Sequence, residues 1–348
     1  ENSRITLQGA QNGSLDWGDF DNDGDLDLLL TGGDPSGNPF THLYRNRRES
    51  QDFALNIANV QNLPQLNNST GAWGDFDNDG DLDLILMGTA PGQRITALYH
   101  NDNGTFAEDS SQTLIPTDNG DLALGDVDND GDIDLATIGQ ISDANDAALS
   151  LYLNNPVGTL SPDTRSTFNG LLASSLAWGD FDNDGDLDLG TTGFNFTEGL
   201  LTRLYTNDGS GQFTSAGANL IGAAASDLAW GDFDNDGDID LALVGQAASG
   251  QILHLFRNQS GTFEQVSIDI LVGIDFASVT WADIDNDGDI DLASSGRTSV
   301  DPTTFPPVTR INDNLESRFN PNRNPEIPQG LNATSEGNAA TLSWFASS

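Results

Sequence analysis

The chain contains no cysteine and no lysine, a single methionine and three histidines among its 348 residues. Without cysteine there are no disulfides, no thiol chemistry and no thiolate metal site. Positive charge is scarce: 12 arginines stand against 54 acidic residues, a formal net charge of −42. Such a field disfavours nucleic acid and anionic membrane surfaces as partners. No run of about 18 apolar residues occurs, so no helical membrane span is expected. No signal peptide is visible, which suits a chain beginning at a processed end.

What the chain does have is aspartate, glycine and aromatic residues. Hydrophobic residues make up 36%, with 17 Phe and 6 Trp, enough for a substantial core. The 38 glycines suit many short strands joined by turns. Thirty of the 46 aspartates fall in six copies of one frame, Asp-x-Asp-x-Asp-Gly-x-x-Asp followed by Leu. The first copy holds Asp19, Asp21, Asp23, Asp25 and Asp27, and the second Asp75, Asp77, Asp79, Asp81 and Asp83. The third holds Asp126, Asp128, Asp130, Asp132 and Asp134, and the fourth Asp180, Asp182, Asp184, Asp186 and Asp188. The fifth holds Asp232, Asp234, Asp236, Asp238 and Asp240, and the sixth Asp283, Asp285, Asp287, Asp289 and Asp291.

Alternation places the carboxylates of loop positions 1, 3 and 5 on the inside of a tight turn. Position 6 must turn sharply, which glycine tolerates at positive φ. Position 7 offers its backbone carbonyl, and the aspartate at position 9 closes the shell. An all-oxygen shell suits calcium, a hard cation taking about 6–8 oxygens. Soft metals would call for thiolate or imidazole, and the loop has neither. A single copy reads equally as a solvated acidic turn. Six copies with one carboxylate pattern do not, because five aspartates in nine residues repel one another unless a dication neutralises them. About six calcium ions would bring the net charge to about −30. Weak sites of this class fill where calcium is millimolar, which points outside the cell. The hydrophobic residue at position 8, Leu26 in the first copy, is expected to point into the core. The frame alone leaves the fold open, since helical calcium hands and calcium-rich linkers share it.

The flanks decide the fold. The motif glycines, Gly24, Gly80, Gly131, Gly185, Gly237 and Gly288, are spaced 56, 51, 54, 52 and 51 residues apart. A period near 50 suits a four-stranded propeller blade. Each period has a short apolar strand before the loop, as in Ser175-Leu176-Ala177-Trp178, and a strand after it, as in Leu26–Leu30. A third strand contains Tyr44, Tyr99, Tyr152, Tyr205 or Phe256, followed two residues on by Asn; its sixth copy, Thr309–Asn314, is degenerate. A fourth opens on Phe53, Phe106, Leu160, Phe213, Phe263 and Phe319. The expected fold is therefore all-β: a six-bladed β-propeller of four-stranded antiparallel blades. Seven blades is the alternative, and it would need a blade without a loop. Residues 4–7 sit where a fourth strand ends in the other repeats, so the N-terminal strand is expected to close the ring. Residues 1–320 form this propeller, and 321–328, rich in Pro and Asn, form a linker. Residues 329–348 match the first two strands of a fibronectin type III-like domain, at Gly330–Thr334 and Ala340–Trp344, and the protein is expected to continue beyond them.

The loop Asp-Phe-Asp-Asn-Asp-Gly-Asp-Leu-Asp-Leu, read together with the period, resembles FG-GAP/VCBS repeats over about residues 10–320, as in the propeller of integrin alpha subunits and in many bacterial secreted proteins. The resemblance implies a calcium-stabilised propeller with the metal loop between the first two strands of each blade. The chain departs from the integrin pattern in loading all six blades and in largely lacking the Phe-Gly and Gly-Ala-Pro signatures. Integrin ligand specificity does not carry over.

Other candidates are weaker. Trp17, Trp73, Trp178, Trp230 and Trp281 could stack on sugars, but their fixed place on the first strand argues for packing between blades. The Tyr slot (Tyr44, Tyr99, Tyr152, Tyr205) reads as core, with hydroxyls in need of partners. His42, Arg203, His254 and Arg310 share one third-strand slot and read as ordinary solvated positions rather than a ligand ring. Glycosylation sequons occur at Asn12, Asn67, Asn68, Asn103, Asn195, Asn258 and Asn332, most of them expected by chance in so Asn-rich a chain. No nucleophile–base constellation stands out, so no enzyme is expected. The sequence thus points to a secreted or cell-surface calcium-binding propeller, a structural and adhesive module with a protein or glycan partner. Alternatives are a carbohydrate-binding module, a polysaccharide-degrading enzyme, or a subunit of a cell-surface filament that assembles through appended domains.

Overall fold

A computed structural model of the chain describes residues 7–46, 55–58, 63–266, 273–298, 307–312, 314, 329–336 and 339–345. All regular structure among them is β; there is no helix, hence none able to cross a membrane. The first sheet takes β1 (Leu15–Gly18), β2 (Asp27–Gly33), β3 (Pro39–Asn46) and β4 (Leu55–Ile57) in chain order. The second takes β5 (Asn67–Gly74), β6 (Asp83–Ala90), β7 (Gln93–Asp102) and β8 (Thr105–Glu108). The third takes β9 (Asp118–Gly125), β10 (Asp134–Gln140), β11 (Ala147–Asn154) and β12 (Leu160–Asp163). Next come β13 (Leu172–Gly179), β14 (Asp188–Asn195), β15 (Gly199–Asn207) and β16 (Phe213–Ser215), then β17 (Ala223–Gly231), β18 (Asp240–Ala247), β19 (Gly250–Gln259) and β20 (Thr262–Val266). A single pairing, Leu201 with Ala223, links these two sets. The sixth sheet has three described strands, β21 (Asp275–Ala282), β22 (Asp291–Arg297) and β23 (Pro307–Asn312). All pairings are antiparallel, as short loops between successive strands require.

The hydrophobic cores lie between sheets rather than within them. The period-2 alternation of β2 sends Leu29 to one side and Leu28 and Leu30 to the other. Leu29 and Phe20 join Leu84, Leu86 and Tyr99 of the second repeat. Likewise Ile85 and Met87 join Leu135 and Tyr152 of the third. The second strands are buried on both faces and therefore read as continuous apolar runs, Leu84-Ile85-Leu86-Met87 being wholly buried. The motif tryptophans seat between sheets, as expected. Trp73 stacks on Phe20 of the preceding repeat, centroids 5.9 Å apart and planes 11° apart, and Trp230 and Trp281 do the same on Phe181 and Phe233. Each seat needs a glycine opposite. A Cβ on Gly18 would lie 2.7 Å from the Trp73 ring, and one on Gly179 2.8 Å from Trp230.

Most position-8 residues pack at the sheet interfaces, as expected: Ile133, Leu187 and Ile290 lie against the core clusters there, and Leu82 and Ile239 cover Gly18 and Gly179 of the preceding repeat. Leu26, in the first copy, differs from expectation and is 57% exposed. Ala282 of the sixth repeat stands where the other five repeats have glycine, and Trp17 of the first repeat is 45% exposed. The cluster of Leu28, Leu30, Phe40 and Tyr44 on this flank contains no residue of the sixth repeat. No strand pairing joins the sixth sheet to the first among the described residues, and of the expected closing strand only Leu7 is described. Phe53 and Phe319 also lie outside the described residues.

The first strands of all six repeats nevertheless line one cavity of about 350 Å³, through Asn12, Asn68, Asn119, Ala173, Ala225 and Phe276 and their neighbours. These six residues recur at the loop spacing and all have left-handed φ, between 46° and 52°. Asparagine tolerates this region, whereas alanine and phenylalanine are strained in it. At the C-terminal end, β24 (Gln329–Glu336) and β25 (Ala339–Phe345) pair as a hairpin where two strands were expected. The described architecture is thus a succession of small antiparallel sheets of a propeller-like fold.

Candidate metal centres

The six loops join the first strand of each sheet to the second, so antiparallel pairing gathers them at one end of the sheets. The β3–β4 type turns share that end, and the β2–β3 type turns lie at the other. Each loop closes on itself through its carboxylates. In the first, Asp19 Oδ1 accepts the Asp23 N–H at 3.0 Å, and Asp19 Oδ2 accepts that of Gly24 at 2.8 Å. Asp23 Oδ1 accepts the Asp25 N–H at 3.0 Å. The same position 1 and position 5 bonds recur in the later loops. Gly24 and its equivalents turn at φ 88–98°, as expected, with open space where a Cβ would be. Position 4 is also left-handed, φ 55–60°, and is asparagine in every copy.

The position 9 aspartates are the buried members of the set: Asp27, Asp83, Asp134, Asp188, Asp240 and Asp291 are at most 2% exposed. Asp134 shows their bonding. Its Oδ2 accepts the Val127 N–H at 2.8 Å, and its Oδ1 accepts the Asn154 N–H at 2.8 Å. Burial dominates their acidity and overrides these bonds, pushing Asp27 and Asp134 up to about 6 and Asp188 and Asp240 up to about 7. Asp83 is raised for the same first reason. Neighbouring carboxylates, such as Asp21 and Asp23 beside Asp27, add to the rise. Four acids crowded around a desolvated one is the electrostatic condition that a bound dication reverses.

Carboxylate oxygens of positions 1, 3 and 9 converge within 4.8 Å of one another in Asp19–Asp21–Asp27, Asp126–Asp128–Asp134 and Asp180–Asp182–Asp188. Asp75, Asp77 and Asp79 make a similar group, as do Asp77, Asp83 and His100. In three of these loops one position 3 oxygen is buried with no hydrogen-bond partner: Asp21 Oδ1, Asp128 Oδ1 and Asp182 Oδ1. Buried carboxylate oxygens are normally satisfied. Unsatisfied ones facing an all-oxygen cluster are what a hard cation would complete. The residues therefore fit calcium through positions 1, 3, 5 and 9 and the position 7 carbonyl. Positive side chains reach some loops as well. Arg45 pairs with Asp21 and Arg257 with Asp234, each at 2.5 Å, and His100 Nδ1 lies 3.3 Å from Asp83 and 3.4 Å from Asp77.

The position 7 side chains have another task. Asn22 Nδ2 donates to Asp81 Oδ1 of the next loop at 2.6 Å. Asn78 does so to Asp132 at 2.7 Å, Asn129 to Asp186 at 2.8 Å, Asn183 to Asp238 at 2.5 Å and Asn235 to Asp289 at 2.6 Å. Position 4 thus ties each loop to its successor, and the position 7 carboxylate serves as the receiving hook.

A second tie went unassigned in the sequence reading, although its signal was present as the Asn two residues after each third-strand tyrosine. The Asn101 N–H binds Asp83 Oδ1 at 2.9 Å. Its Nδ2 donates to the Leu82 carbonyl at 2.9 Å and, across the sheet interface, to the Phe20 carbonyl of the preceding loop at 2.8 Å. Asn207 and Asn258 repeat all three bonds. In the degenerate sixth copy Asn314 takes this place, reaching Asp291 and Phe233 at 2.8 Å.

The remaining candidates are structural. The Tyr152 hydroxyl accepts the Ile115 N–H at 2.8 Å, and that of Tyr44 accepts the Gln8 N–H at 3.0 Å. Arg203 pairs with Glu198, His42 packs on Phe40, and His254 sits edge-on to Phe256, so their shared slot forms no ring. Arg310 is half-buried on β23. Of the sequons, Asn258 is fully buried and Asn195 is committed through both side-chain ends.

No curated protein sequence matches the chain. Among solved structures it is similar to a lectin of Agrocybe aegerita that recognises non-reducing terminal N-acetylglucosamine, at 16% identity and a TM-score of 0.55, covering 87% of this chain and 80% of that one. It is also similar to the Aleuria aurantia lectin bound to Fucα1-6GlcNAc (11% identity, TM-score 0.47, 82% and 87% covered). A sialidase of Trypanosoma rangeli matches at 10% identity and a TM-score of 0.45, with 86% and 54% covered. Only the first exceeds 0.5, and at that identity it speaks to the fold and no further. The profile of the FG-GAP-like repeat matches residues 19–86, 75–137 and 232–294, just over half the chain, each match running from one acidic loop through the next. Loops, strand order and sequence profile agree, and the chain belongs to the FG-GAP-like repeat family.

Proposed function

We propose that this protein is an extracellular calcium-binding propeller whose six loops each hold one calcium ion, and that it serves as an interaction module of a secreted or surface protein. The observation that carries this reading is the set of buried position 3 oxygens without partners inside converging carboxylate clusters. Calcium supplies the positive charge that lets these acids ionise together while buried. The chain's own residues do the rest. Position 1 and position 5 carboxylates hold the turn, position 9 anchors it to the third strand, and the Asn ties couple each loop to its neighbour. The blades number six and are closed by the N-terminal segment. Support comes from the common cavity lined by all six first strands and from the sixth sheet, which has three described strands where the others have four. The hairpin of β24 and β25 is the start of a fibronectin type III-like unit beyond a linker at 321–328. In this reading the module works by binding and not by catalysis.

A second reading, glycan binding, draws on the fold shared with the Agrocybe aegerita lectin. The partner would be a cell-surface glycan, or a protein bearing one. The scaffold reading is tested by thermal unfolding in millimolar calcium and in excess chelator. A large drop in melting temperature and in protease resistance on chelation is expected; superimposable curves would refute it.

A further inference from the structure

The end opposite the acidic loops holds a second, separate cleft of about 300 Å³, between the β10–β11 loop and the β14–β15 hairpin. We infer that it binds a neutral pyranose sugar, with Phe196 as the stacking platform. The inference extends the glycan reading above by naming its site and ligand class.

Both walls are fixed before any ligand arrives. On one side, Ser142 Oγ donates to Asp146 Oδ2 at 2.8 Å, and the Ile141 N–H binds the Asp146 carbonyl at 2.9 Å. Arg94 of the second repeat reaches over to Asp143 at 2.8 Å and is itself held by Asp118 at 2.8 Å. On the other side, Asn195 Oδ1 accepts the Thr197 and Glu198 N–H groups at 2.8 and 3.1 Å, while its Nδ2 donates to the Gly170 carbonyl at 3.1 Å. Glu198 is clamped by Asn169 and Arg203 at 2.7 and 2.9 Å. A cleft whose walls are already ordered loses little entropy on binding.

The lining has the chemistry of sugar recognition. Phe196 is 66% exposed, and its ring stands edge-on to Phe194, centroids 5.1 Å apart and planes at 82°. It offers a fixed apolar face that can cover the C–H side of a pyranose. Around it, the Asn145 side-chain amide, Asp146 Oδ1 and the Thr197 hydroxyl line the cleft and enter no hydrogen bond among the described residues. Together they offer donors and acceptors for sugar hydroxyls. The volume is at the lower end of the roughly 300–1,000 Å³ of small-ligand sites. Charge selects against anions. The chain carries −42, and the arginines nearest the cleft, Arg94 and Arg203, are already neutralised by acidic partners. Among the described residues, the tips Asp34–Asn38, Pro91-Gly92 and Ala248-Ser249 carry no aromatic residue.

The test is titration of the full chain, in calcium, with methyl glycosides of glucose, galactose, mannose, fucose and N-acetylglucosamine, and with glucuronic and sialic acids as the anionic arm. Ligand-observed NMR reads the binding. Saturable binding of at least one neutral glycoside is expected, weakened about tenfold or more by Phe196→Ala. Phe276→Ala, on the central cavity, should bind as wild type does. Binding of no neutral glycoside, binding of the acids alone, or full binding by Phe196→Ala would each overturn the proposal. Calcium-dependent melting separates the two readings: if it persists while no sugar binds, this site fails and the scaffold reading stands.

Discussion

The two ends of the sheets follow opposite rules. At the loop end, six copies keep the same five aspartates and the same left-handed asparagine and glycine, and five successive joints keep the same ties between neighbours. At the other end the described connections vary: Asp34–Asn38 is an Asp-anchored turn, Pro91-Gly92 and Ala248-Ser249 are two-residue turns, residues 141–146 form a braced loop and residues 195–198 an aromatic hairpin. The loop end is uniform because many of its polar groups bond to a neighbouring loop or strand. Asn101 alone makes three bonds that span two repeats, and any replacement would leave buried groups unpaired. The far end carries fewer such obligations and can vary without unfolding the chain.

That contrast can be broken by substitution, measured as denaturant unfolding in calcium. The largest effect is expected for Asp188→Ala. It strands the Phe181 and Asn207 N–H groups in a buried site and removes a proposed calcium ligand, for a loss of about 3–5 kcal/mol. Asn101→Ala should follow at about 2–4 kcal/mol, since it breaks the bond to Phe20 of the preceding repeat and the bond to Leu82 within its own. Gly179→Ala should cost about 2 kcal/mol by driving a Cβ into Trp230.

Asp121 gives a smaller, pH-dependent effect. Burial, and then the neighbouring Asp227, push its carboxyl up to about 7, while the Ser175 hydroxyl, with one proton, lies 3.0 Å from Asp121 and 2.8 Å from Asp227. The folded state therefore keeps a proton that the unfolded chain loses near its ordinary value of 3.8. Its contribution to stability is complete below that value and declines as pH rises toward 7. Asp121→Asn should accordingly gain on wild type steadily as pH rises from about 4.5 to about 8, with the difference levelling off above about 7. At the far end, Phe196→Ala should change stability by less than about 0.5 kcal/mol. A larger loss there would show that the hairpin is part of the scaffold.

Much of the fold is legible in the residues because two periods are superimposed on them. Alternation within Leu26–Leu30 marks a strand, and the roughly 50-residue recurrence of the acidic frame marks the sheet. The loop turn is legible too, since Gly24 and its equivalents sit where only glycine is comfortable. Hidden from the sequence is which neighbour a polar side chain reaches. Asn101 and Phe20 are 81 residues apart, and nothing local shows that one amide serves two repeats. The carboxylates of Asp81 and Asp132 look like further ligands, yet they point to the preceding loop. Leu26 looks like core because Leu82 and Ile239 are packed. Leu26 itself is 57% exposed, and nothing in its own repeat's sequence distinguishes it from them.

The most direct test of the central claim is native mass spectrometry of the intact chain exchanged into calcium and then into chelator. Six calcium ions retained per chain are expected, lost on chelation together with the compact charge-state distribution. A chain that stays compact at the metal-free mass in both solutions would contradict it.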